Sequence, residues 1–148
     1  MVRSVGIVVF SGNKTLLVRN VGSSRHVENV YGLAAGRLEH GEDEIDAAVR
    51  ELKEETGLST TRSDLVQLPT VYRATLPQKD GTTVDFLWTV FLCKKYTGDL
   101  APSDETIPEW VEVDKLDDHN LIANVKDAIC EVQKIRKETR LEKRPYLC

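Results

Sequence analysis

Three glutamates lie close together in the stretch RELKEETGL, residues 50–58. Glu51, Glu54 and Glu55 are spaced i, i+3 and i+4, so on a helix their carboxylates would share one side, where like charges repel. The helix macrodipole would add to this repulsion, because the cluster lies toward the C-terminal half of the helix. A solvated acidic face is the simplest interpretation of an isolated E-x-x-E-E pattern. In this chain, however, a glycine-rich loop leads into the helix that carries the three glutamates. The loop and the glutamates together favour a bound cation.

Mg²⁺ is the cation that best explains the three carboxylates. It is a hard ion that prefers oxygen ligands, and it usually binds one or two carboxylates together with the phosphates of a substrate. A divalent ion would turn the repulsion into attraction, and it would help a chain of net charge −4 to bind a polyanion. We therefore expect Mg²⁺, for which Mn²⁺ can substitute, and a phosphate-containing ligand.

The longer stretch from Gly36 to Leu58, GRLEHGEDEIDAAVRELKEETGL, resembles the Nudix box. That pattern is G-x5-E-x7-R-E-U-x-E-E-x-G-U, where U is a bulky aliphatic residue. Every specified position matches: Gly36, Glu42, Arg50, Glu51, Leu52, Glu54, Glu55, Gly57 and Leu58. If Gly and each charged type occur at about 6–7%, the fixed residues coincide by chance at on the order of 10⁻⁸ per starting position.

The resemblance implies hydrolysis of a nucleoside diphosphate linked to another moiety, by attack of water on one phosphorus of the pyrophosphate. Glu51, Glu54 and Glu55 would be metal ligands, directly or through water, with the backbone carbonyl of Ala35 as a further ligand. A carboxylate must also accept a proton from the attacking water. Glu51 is the first choice for this base. Glu105, in the loop before a later strand, is the second.

The resemblance also assigns the remaining residues of the box. Arg50 would hold a carboxylate in place by pairing with Glu42 or Glu51, which its planar guanidinium suits. Gly36 and Gly57 would provide the backbone geometry that the box needs. These residues would therefore shape the site or take part in catalysis without binding the metal.

Two arginines near the box are candidates for binding substrate phosphates. Arg37 follows the first glycine of the box and Arg19 ends the second predicted strand, although a solvated surface arginine is an equally simple interpretation of each. The candidates for stacking on a nucleobase are the aromatic residues Tyr31, Phe86, Trp88 and Trp110, although strand aromatics are more often part of the core. None of the histidines shows a metal or triad spacing, so we expect surface positions for His26, His40 and His119.

The periodicity of the apolar residues predicts the elements that position the box. Apolar and β-branched runs separated by turn residues predict strands at SVGIVVF and TLLVRN, and a short strand at VYGLAAG. From Asp43 the apolar residues fall at i, i+3, i+4 and i+7, which predicts an amphipathic helix that ends at Gly57. The three glutamates would therefore lie on the polar side of this helix.

The second half of the chain completes an alternation of strands and helices. Two longer strands are predicted at LVQLPTVYRATL and TTVDFLWTVFLCKKY, with a bulge or a sheet edge at Pro69. A short strand, WVEV, and an amphipathic helix over about residues 124–140 follow. The order β-β-β-α-β-β-β-α predicts a mixed sheet covered by helices. The resemblance implies the same class, an α/β fold of the Nudix-type α/β/α sandwich, in one Nudix hydrolase domain over residues 1–148 with a basic C-terminal tail at about 140–148.

Composition and charge narrow the class of protein. The chain has 41% hydrophobic and 30% charged residues, which is ordinary for a globular domain. No apolar run is long enough for a membrane span and the start lacks the pattern of a signal peptide, so we expect a cytoplasmic protein. The net charge argues against general nucleic-acid binding. We expect a small nucleotide as the partner of a monomer or homodimer.

The main functional hypothesis is Mg²⁺-dependent hydrolysis of a nucleoside triphosphate, or an oxidised one, to the monophosphate and pyrophosphate, as in MutT-like members. The GLAAG before the box is closer to sugar-nucleotide hydrolases, so ADP-ribose or another nucleotide sugar is the alternative substrate; a dinucleoside polyphosphate and a capped RNA end also stay open. A non-catalytic nucleotide sensor with the same fold is the alternative of another class, against which the complete box argues. A P-loop NTPase is excluded, because no G-x-x-x-x-G-K-[ST] occurs.

Overall fold

The computed structural model describes residues 1–22 and 25–140, so the tail predicted at about 140–148 lies outside the described residues beyond its first position. The strands are β1 (Val2–Ser11), β2 (Lys14–Asn20), β3 (Tyr31–Gly32), β4 (Ala34–Arg37), β5 (Leu65–Pro77), β6 (Thr83–Cys93) and β7 (Thr106–Glu112). The helices are α1 (Glu44–Thr56) and α2 (Val125–Arg140), with short 3-10 helices at Arg62–Asp64 and Val113–Asp118. None of the described helices is both long and apolar enough to cross a membrane.

The strands form a mixed sheet, which confirms the predicted α/β class. Their order is β3-β2-β1-β6-β5, and β4 and β7 pair with β1 and β2 respectively. The pairing of β1 with β6 is parallel, whereas the other ladders are antiparallel.

Two apolar cores lie on opposite faces of β1. Ile7 and Val9 belong to a cluster that includes Leu52 of α1. Val8 belongs to a second cluster that includes Ile129 of α2. Because successive side chains of a strand point to opposite faces, α1 and α2 cover the two sides of the sheet. This arrangement is the α/β/α sandwich that the resemblance to the Nudix box implied.

Helix α1 begins and ends where the sequence predicted. The carboxylate of Asp43 caps the N-terminus by accepting a hydrogen bond of 2.8 Å from the backbone N–H of Asp46. At the other end Gly57 has a φ of 85° and its N–H donates to the carbonyl of Lys53 at 3.0 Å. A Cβ at Gly57 would also lie 2.8 Å from the carbonyl oxygen of Asp99. Both the backbone angle and the close contact therefore require glycine.

The segment VYGLAAG, predicted as one strand, is two strands in the structure. Strand β3 pairs with β2, where Val18 opposes Gly32, and β4 pairs with β1, where Gly6 opposes Ala35. The ladder between β1 and β2 covers only the residues next to their turn. The two strands therefore diverge, and the chain changes partner at the buried Leu33. As a result, the first residues of the box, Gly36 and Arg37, lie in β4 and pair with β1.

Two features of the later strands also affect the site. Strand β7 begins at Thr106, earlier than the predicted WVEV, and pairs with β2 along its whole length. This pairing brings the loop that contains Glu105 to the end of β2. The irregularity predicted at Pro69 is confirmed, since the register between β5 and β6 shifts between Gln67 and Val71.

Candidate active site

A cavity of about 860 Å³ lies between α1, β4, the β2–β3 loop and the loop that precedes β7. Its walls include Glu51, Glu54 and Glu55 of α1, Arg37 of β4, and Glu105. Helix periodicity places the three glutamates of α1 on one side of the helix. The pairing of β7 with β2 brings the carboxylate of Glu105 to the same cavity. The structure thus gathers the predicted metal-binding and catalytic carboxylates around one cavity.

Gly36 allows β4 to lie directly against the acidic side of α1. A Cβ at this position would lie 2.0 Å from the Cδ of Glu51. The strand cannot move away freely, because it pairs with β1, where Val5 opposes Gly36. Any larger residue would therefore displace the Glu51 carboxylate from its place in the cavity wall.

Arg50 connects most of the box carboxylates. Its Nε and Nη2 each donate to one oxygen of Glu42 at 2.8 Å, which is a bidentate pair. Its Nη1 donates to Glu51 at 2.6 Å and to Glu54 at 3.1 Å, and Nη2 also donates to the carbonyl of Arg37 at 3.1 Å. These hydrogen bonds lower the pKa of Glu42 and raise that of Arg50. Arg50 therefore pairs at the same time with Glu42 and Glu51, the two alternative partners that the sequence analysis named.

Among residues 1–22 and 25–140 no arginine pairs with Glu55, and its pKa is raised more than that of the other acids of the site. Its Oε1 accepts a hydrogen bond of 2.7 Å from the backbone N–H of Ala35. Burial raises its pKa to about 8, and the negative charges of Glu51, Glu105 and Glu54 add to the effect. Burial also raises the pKa of Glu51, against the opposing influence of its arginine. Near neutral pH Glu55 therefore holds its proton unless positive charge arrives.

The donor set fits a hard divalent cation. Within residues 1–22 and 25–140 no group of three or more acidic, histidine or cysteine side chains is arranged as a metal site. Each carboxylate is instead engaged within the protein. Arg50 donates hydrogen bonds to Glu51 and Glu54, and the backbone N–H of Ala35 donates one to Glu55. All three carboxylates nevertheless line one cavity, and oxygen donors are the ligands that Mg²⁺ prefers. Burial and the neighbouring carboxylates raise the pKa of Glu55, and a cation bound beside it would oppose both effects.

Arg19, predicted to bind phosphate, does not line this cavity. Its neighbours Val18 and Asn20 do, and strand side chains alternate between faces. Arg19 instead lies near Glu109 of the adjacent strand, with its Nε 3.6 Å from the carboxylate. The structure therefore separates it from the other predicted site residues.

Two of the four candidate stacking residues reach the cavity. Phe86 and Trp88 of β6 line it, and their rings are 5.4 Å apart between centroids. The guanidinium of Arg37 lies 5.5 Å from the centroid of Phe86, in a cation–π contact. Tyr31 and Trp110 lie outside the lining and pack against other rings. The aromatic surface therefore comes from one strand, and it lies next to the acidic wall that Glu51, Glu54 and Glu55 form.

His26, expected on the surface, is half-buried and lines the cavity beside Arg25. Burial lowers its pKa, and the charges of Arg37 and Arg25 lower it further, while Glu105 acts in the opposite direction. The sequence contains no periodicity that marks either loop residue. Their position follows from long-range contacts of the β2–β3 loop, which no local pattern reveals.

Comparison with known proteins relates this architecture to others. The model of the NUDIX domain matches residues 1–131. The solved MutT protein from Methanosarcina mazei Go1 has 22% identity and a TM-score of 0.72, with 94% of this chain and 95% of that chain covered. The NUDIX domain of Shewanella oneidensis NrtR, complexed with ADP ribose, has 16% identity and a TM-score of 0.72, with 91% and 88% covered. A C. elegans Ap4A hydrolase has 20% identity and a TM-score of 0.65, with 93% and 99% covered. A comparison with curated proteins gave no match.

Proposed function

We propose that this chain, which belongs to the NUDIX family of pyrophosphohydrolases, hydrolyses a nucleoside triphosphate, ordinary or oxidised, to the monophosphate and pyrophosphate in a Mg²⁺-dependent reaction. Members of this family act on nucleoside diphosphate derivatives and generally use a divalent metal. One observation carries this proposal. The carboxylates of Glu51, Glu54 and Glu55 share a cavity with Arg37 and with the aromatic side chains of Phe86 and Trp88. That cavity offers acid, cationic and aromatic surfaces to a metal, a phosphate chain and a base.

The carboxylates of Glu51, Glu54 and Glu55, with the carbonyl of Ala35, would hold the Mg²⁺. When bound, the ion would neutralise charge on the phosphate oxygens. Arg50 fixes the direction of two of these carboxylates through its Nη1. The backbone N–H of Ala35 fixes the third. The protein itself therefore holds several oxygen donors on one side of the cavity, and these hydrogen bonds offset the repulsion between the carboxylates.

The attacking water needs a carboxylate that accepts its proton as the oxygen bonds to phosphorus and the pyrophosphate leaves. Glu51 is our first choice, because it is buried and burial raises its pKa, which makes it a stronger base than an exposed glutamate. Glu105 is the second, since it lines the cavity from another element. Glu51→Gln and Glu105→Gln separate the two, because loss of the base removes the acidic limb of the pH–rate profile.

Binding of the nucleotide would use the surfaces next to the acidic wall. Arg37 can donate up to five N–H groups to phosphate oxygens. Trp88, which is half-buried, presents an aromatic surface on which a base can stack, whereas Phe86 is buried beneath the guanidinium of Arg37. Specificity between a triphosphate and a nucleotide sugar would then depend on which groups meet the end of the phosphate chain.

A substrate panel with Mg²⁺ tests the proposal. Ordinary and oxidised nucleoside triphosphates are compared with ADP-ribose and other nucleotide sugars, and the products are identified by chromatography. We expect triphosphates to yield monophosphate and pyrophosphate, with turnover lost in Glu54→Gln and kept in Glu112→Gln, an exposed glutamate outside the cavity.

Two results would contradict the proposal. Hydrolysis of a nucleotide sugar without hydrolysis of any triphosphate would assign the other substrate class. Nucleotide binding without any turnover, equal in the wild type and Glu54→Gln, would identify a sensor.

A further inference from the structure

The loop that precedes β7 lies across the C-terminal end of α1. The backbone N–H of Ala101 donates to the carbonyl of Thr56 at 2.9 Å. Farther along the chain, the Oγ1 of the buried Thr106 lies 3.5 Å from the carbonyl oxygen of Glu55. The loop is therefore attached to the helix that carries the acidic wall.

Two hydroxyl groups set the conformation of this loop around Glu105. The Oγ of Ser103 lies 2.8 Å from the Oγ1 of Thr106. The same Ser103 Oγ accepts hydrogen bonds from the backbone N–H groups of Glu105 at 3.3 Å and Thr106 at 3.1 Å. A serine hydroxyl that accepts from the backbone two or three residues later stabilises a turn. Residues 103–106 therefore form a turn that contains Glu105.

The start of the β2–β3 loop also holds the backbone of Glu105. The carbonyl of Glu105 accepts hydrogen bonds from the N–H groups of Val21 at 2.9 Å and Gly22 at 3.2 Å. A Cβ at Gly22 would lie 2.4 Å from the carbonyl oxygen of Asp104. A side chain there would push the peptide between Asp104 and Glu105 away, so this close approach of two backbones requires glycine.

The place of the Glu105 carboxylate in the cavity depends on this backbone, because the side chain itself is exposed. The charge of Glu105 acts on Glu55 and on His26, which line the same cavity. The carboxylate therefore lies on the cavity side of the loop.

We propose that Gly22, Ser103 and Thr106 are positioning residues, which hold Glu105 where its carboxylate takes part in the reaction at the acidic wall. The inference rests on the proposed function, in which Glu105 is the second candidate for the base. A base must lie within hydrogen-bond reach of the water that it deprotonates. Because a misplacement of about 1 Å can lower a rate about a hundredfold, loosening this backbone should lower kcat more than it raises KM.

A double-mutant cycle separates positioning from general support of the fold. Ser103→Ala and Glu105→Gln are measured alone and together at saturating Mg²⁺, with whichever nucleotide the substrate panel identifies. We expect Ser103→Ala to lower kcat about tenfold in the wild-type background and less than about twofold in the Glu105→Gln background, with little change in KM. Ser103→Thr keeps the hydroxyl and should retain most of the turnover. Ser11→Ala is the matched control, an exposed serine at the end of β1 and outside the cavity.

Gly22→Ala tests the same position from the other loop. It should also lower kcat in the wild-type background and have little further effect in the Glu105→Gln background. An equal loss of kcat in both backgrounds, for either variant, would show that the residue supports the fold and does not act through Glu105. Wild-type kcat in Ser103→Ala or in Glu105→Gln would overturn the inference directly.

Amide hydrogen exchange, measured by NMR without substrate, tests the positioning independently of turnover. The N–H groups of Val21 and Gly22 both donate to the carbonyl of Glu105, so they report on that peptide. We expect both to exchange at least about tenfold faster in Ser103→Ala than in the wild type or Ser11→Ala, because the peptide opens locally.

The two readouts distinguish this inference from the proposed function. Unchanged exchange of both amides would refute the positioning even in an active enzyme. A wild type that hydrolyses no nucleotide, together with faster exchange in Ser103→Ala, would refute the proposed function and support the hold on Glu105.

Discussion

Replacing Glu55 by Gln should stabilise the metal-free protein at alkaline pH. The carboxyl group accepts a hydrogen bond from Ala35 N–H, and burial raises its pKa from 4.5 to about 8. Glutamine has nearly the same shape, and its carbonyl oxygen can accept the same hydrogen bond. It has no proton to lose. The substitution therefore removes the ionisation of Glu55 and little else.

The sign and size of the effect follow from the pKa of Glu55. Because the folded-state pKa lies above that of the unfolded chain, the associated stability is fully present below pH 4.5 and is lost as the pH rises through about 8. Each pH unit between the two values corresponds to about 1.4 kcal/mol, so the full difference is on the order of 5 kcal/mol. We expect the variant to exceed the wild type by about 2 to 5 kcal/mol at pH 9, and to match it at acid pH.

Urea unfolding in EDTA, followed by circular dichroism at several pH values, measures these free energies. Glu112→Gln is the control, because this exposed glutamate lies outside the cavity. Excess Mg²⁺ at pH 9 should reverse the order, since the ion stabilises the wild type more by binding its ionised carboxylate. A difference between the wild type and Glu55→Gln that does not change with pH in EDTA would show that Glu55 is not the perturbed acid.

Three further substitutions test other parts of the site. Glu54→Gln should lower kcat by orders of magnitude at saturating Mg²⁺ without changing the free energy of unfolding; near-normal turnover would remove Glu54 from the catalytic set. Gly36→Ala should abolish turnover, because its Cβ would lie 2.0 Å from the Cδ of Glu51; a folded variant with full kcat would contradict this contact. Arg50→Lys keeps the charge but loses the bidentate pair with Glu42, so kcat/KM should fall at least about tenfold and thermal unfolding should show a loss of about 1 to 3 kcal/mol. Unchanged kcat/KM and Tm in Arg50→Lys would show that the bidentate pair with Glu42 has no such role.

The elements with a strong local signal were predictable from the sequence. Helix α1 has a capping aspartate, an apolar stripe and a terminal glycine with a positive φ, so its limits followed from residues 43–57 alone. The division of VYGLAAG into β3 and β4 was not predictable, because it depends on how far β1 and β2 diverge after their turn. That divergence is set by the partners of the two strands, β6 and β7, which come much later in the chain.

The same distinction separates the parts of the site. The spacing of Glu51, Glu54 and Glu55 fixes their common side on a helix, and all three line the cavity. Arg19 was assigned from its place at a strand end, but the face it occupies depends on the register of the sheet. His26 was missed because Asn20 and the β5–β6 turn position it, and neither contact leaves a mark near residue 26.

The carboxylates on the cavity side of α1 are stabilised in two different ways. Glu42, Glu51 and Glu54 share the guanidinium of Arg50, while Glu55 keeps its proton. A divalent ion bound on the acidic wall would have to share Glu51 with Arg50 and displace the proton of Glu55. Arginine and proton would therefore occupy, before the metal binds, the electrostatic place that the proposed cation would fill. On the proposed metal site, metal binding and proton release would consequently be coupled by the same burial that raises the pKa of Glu55.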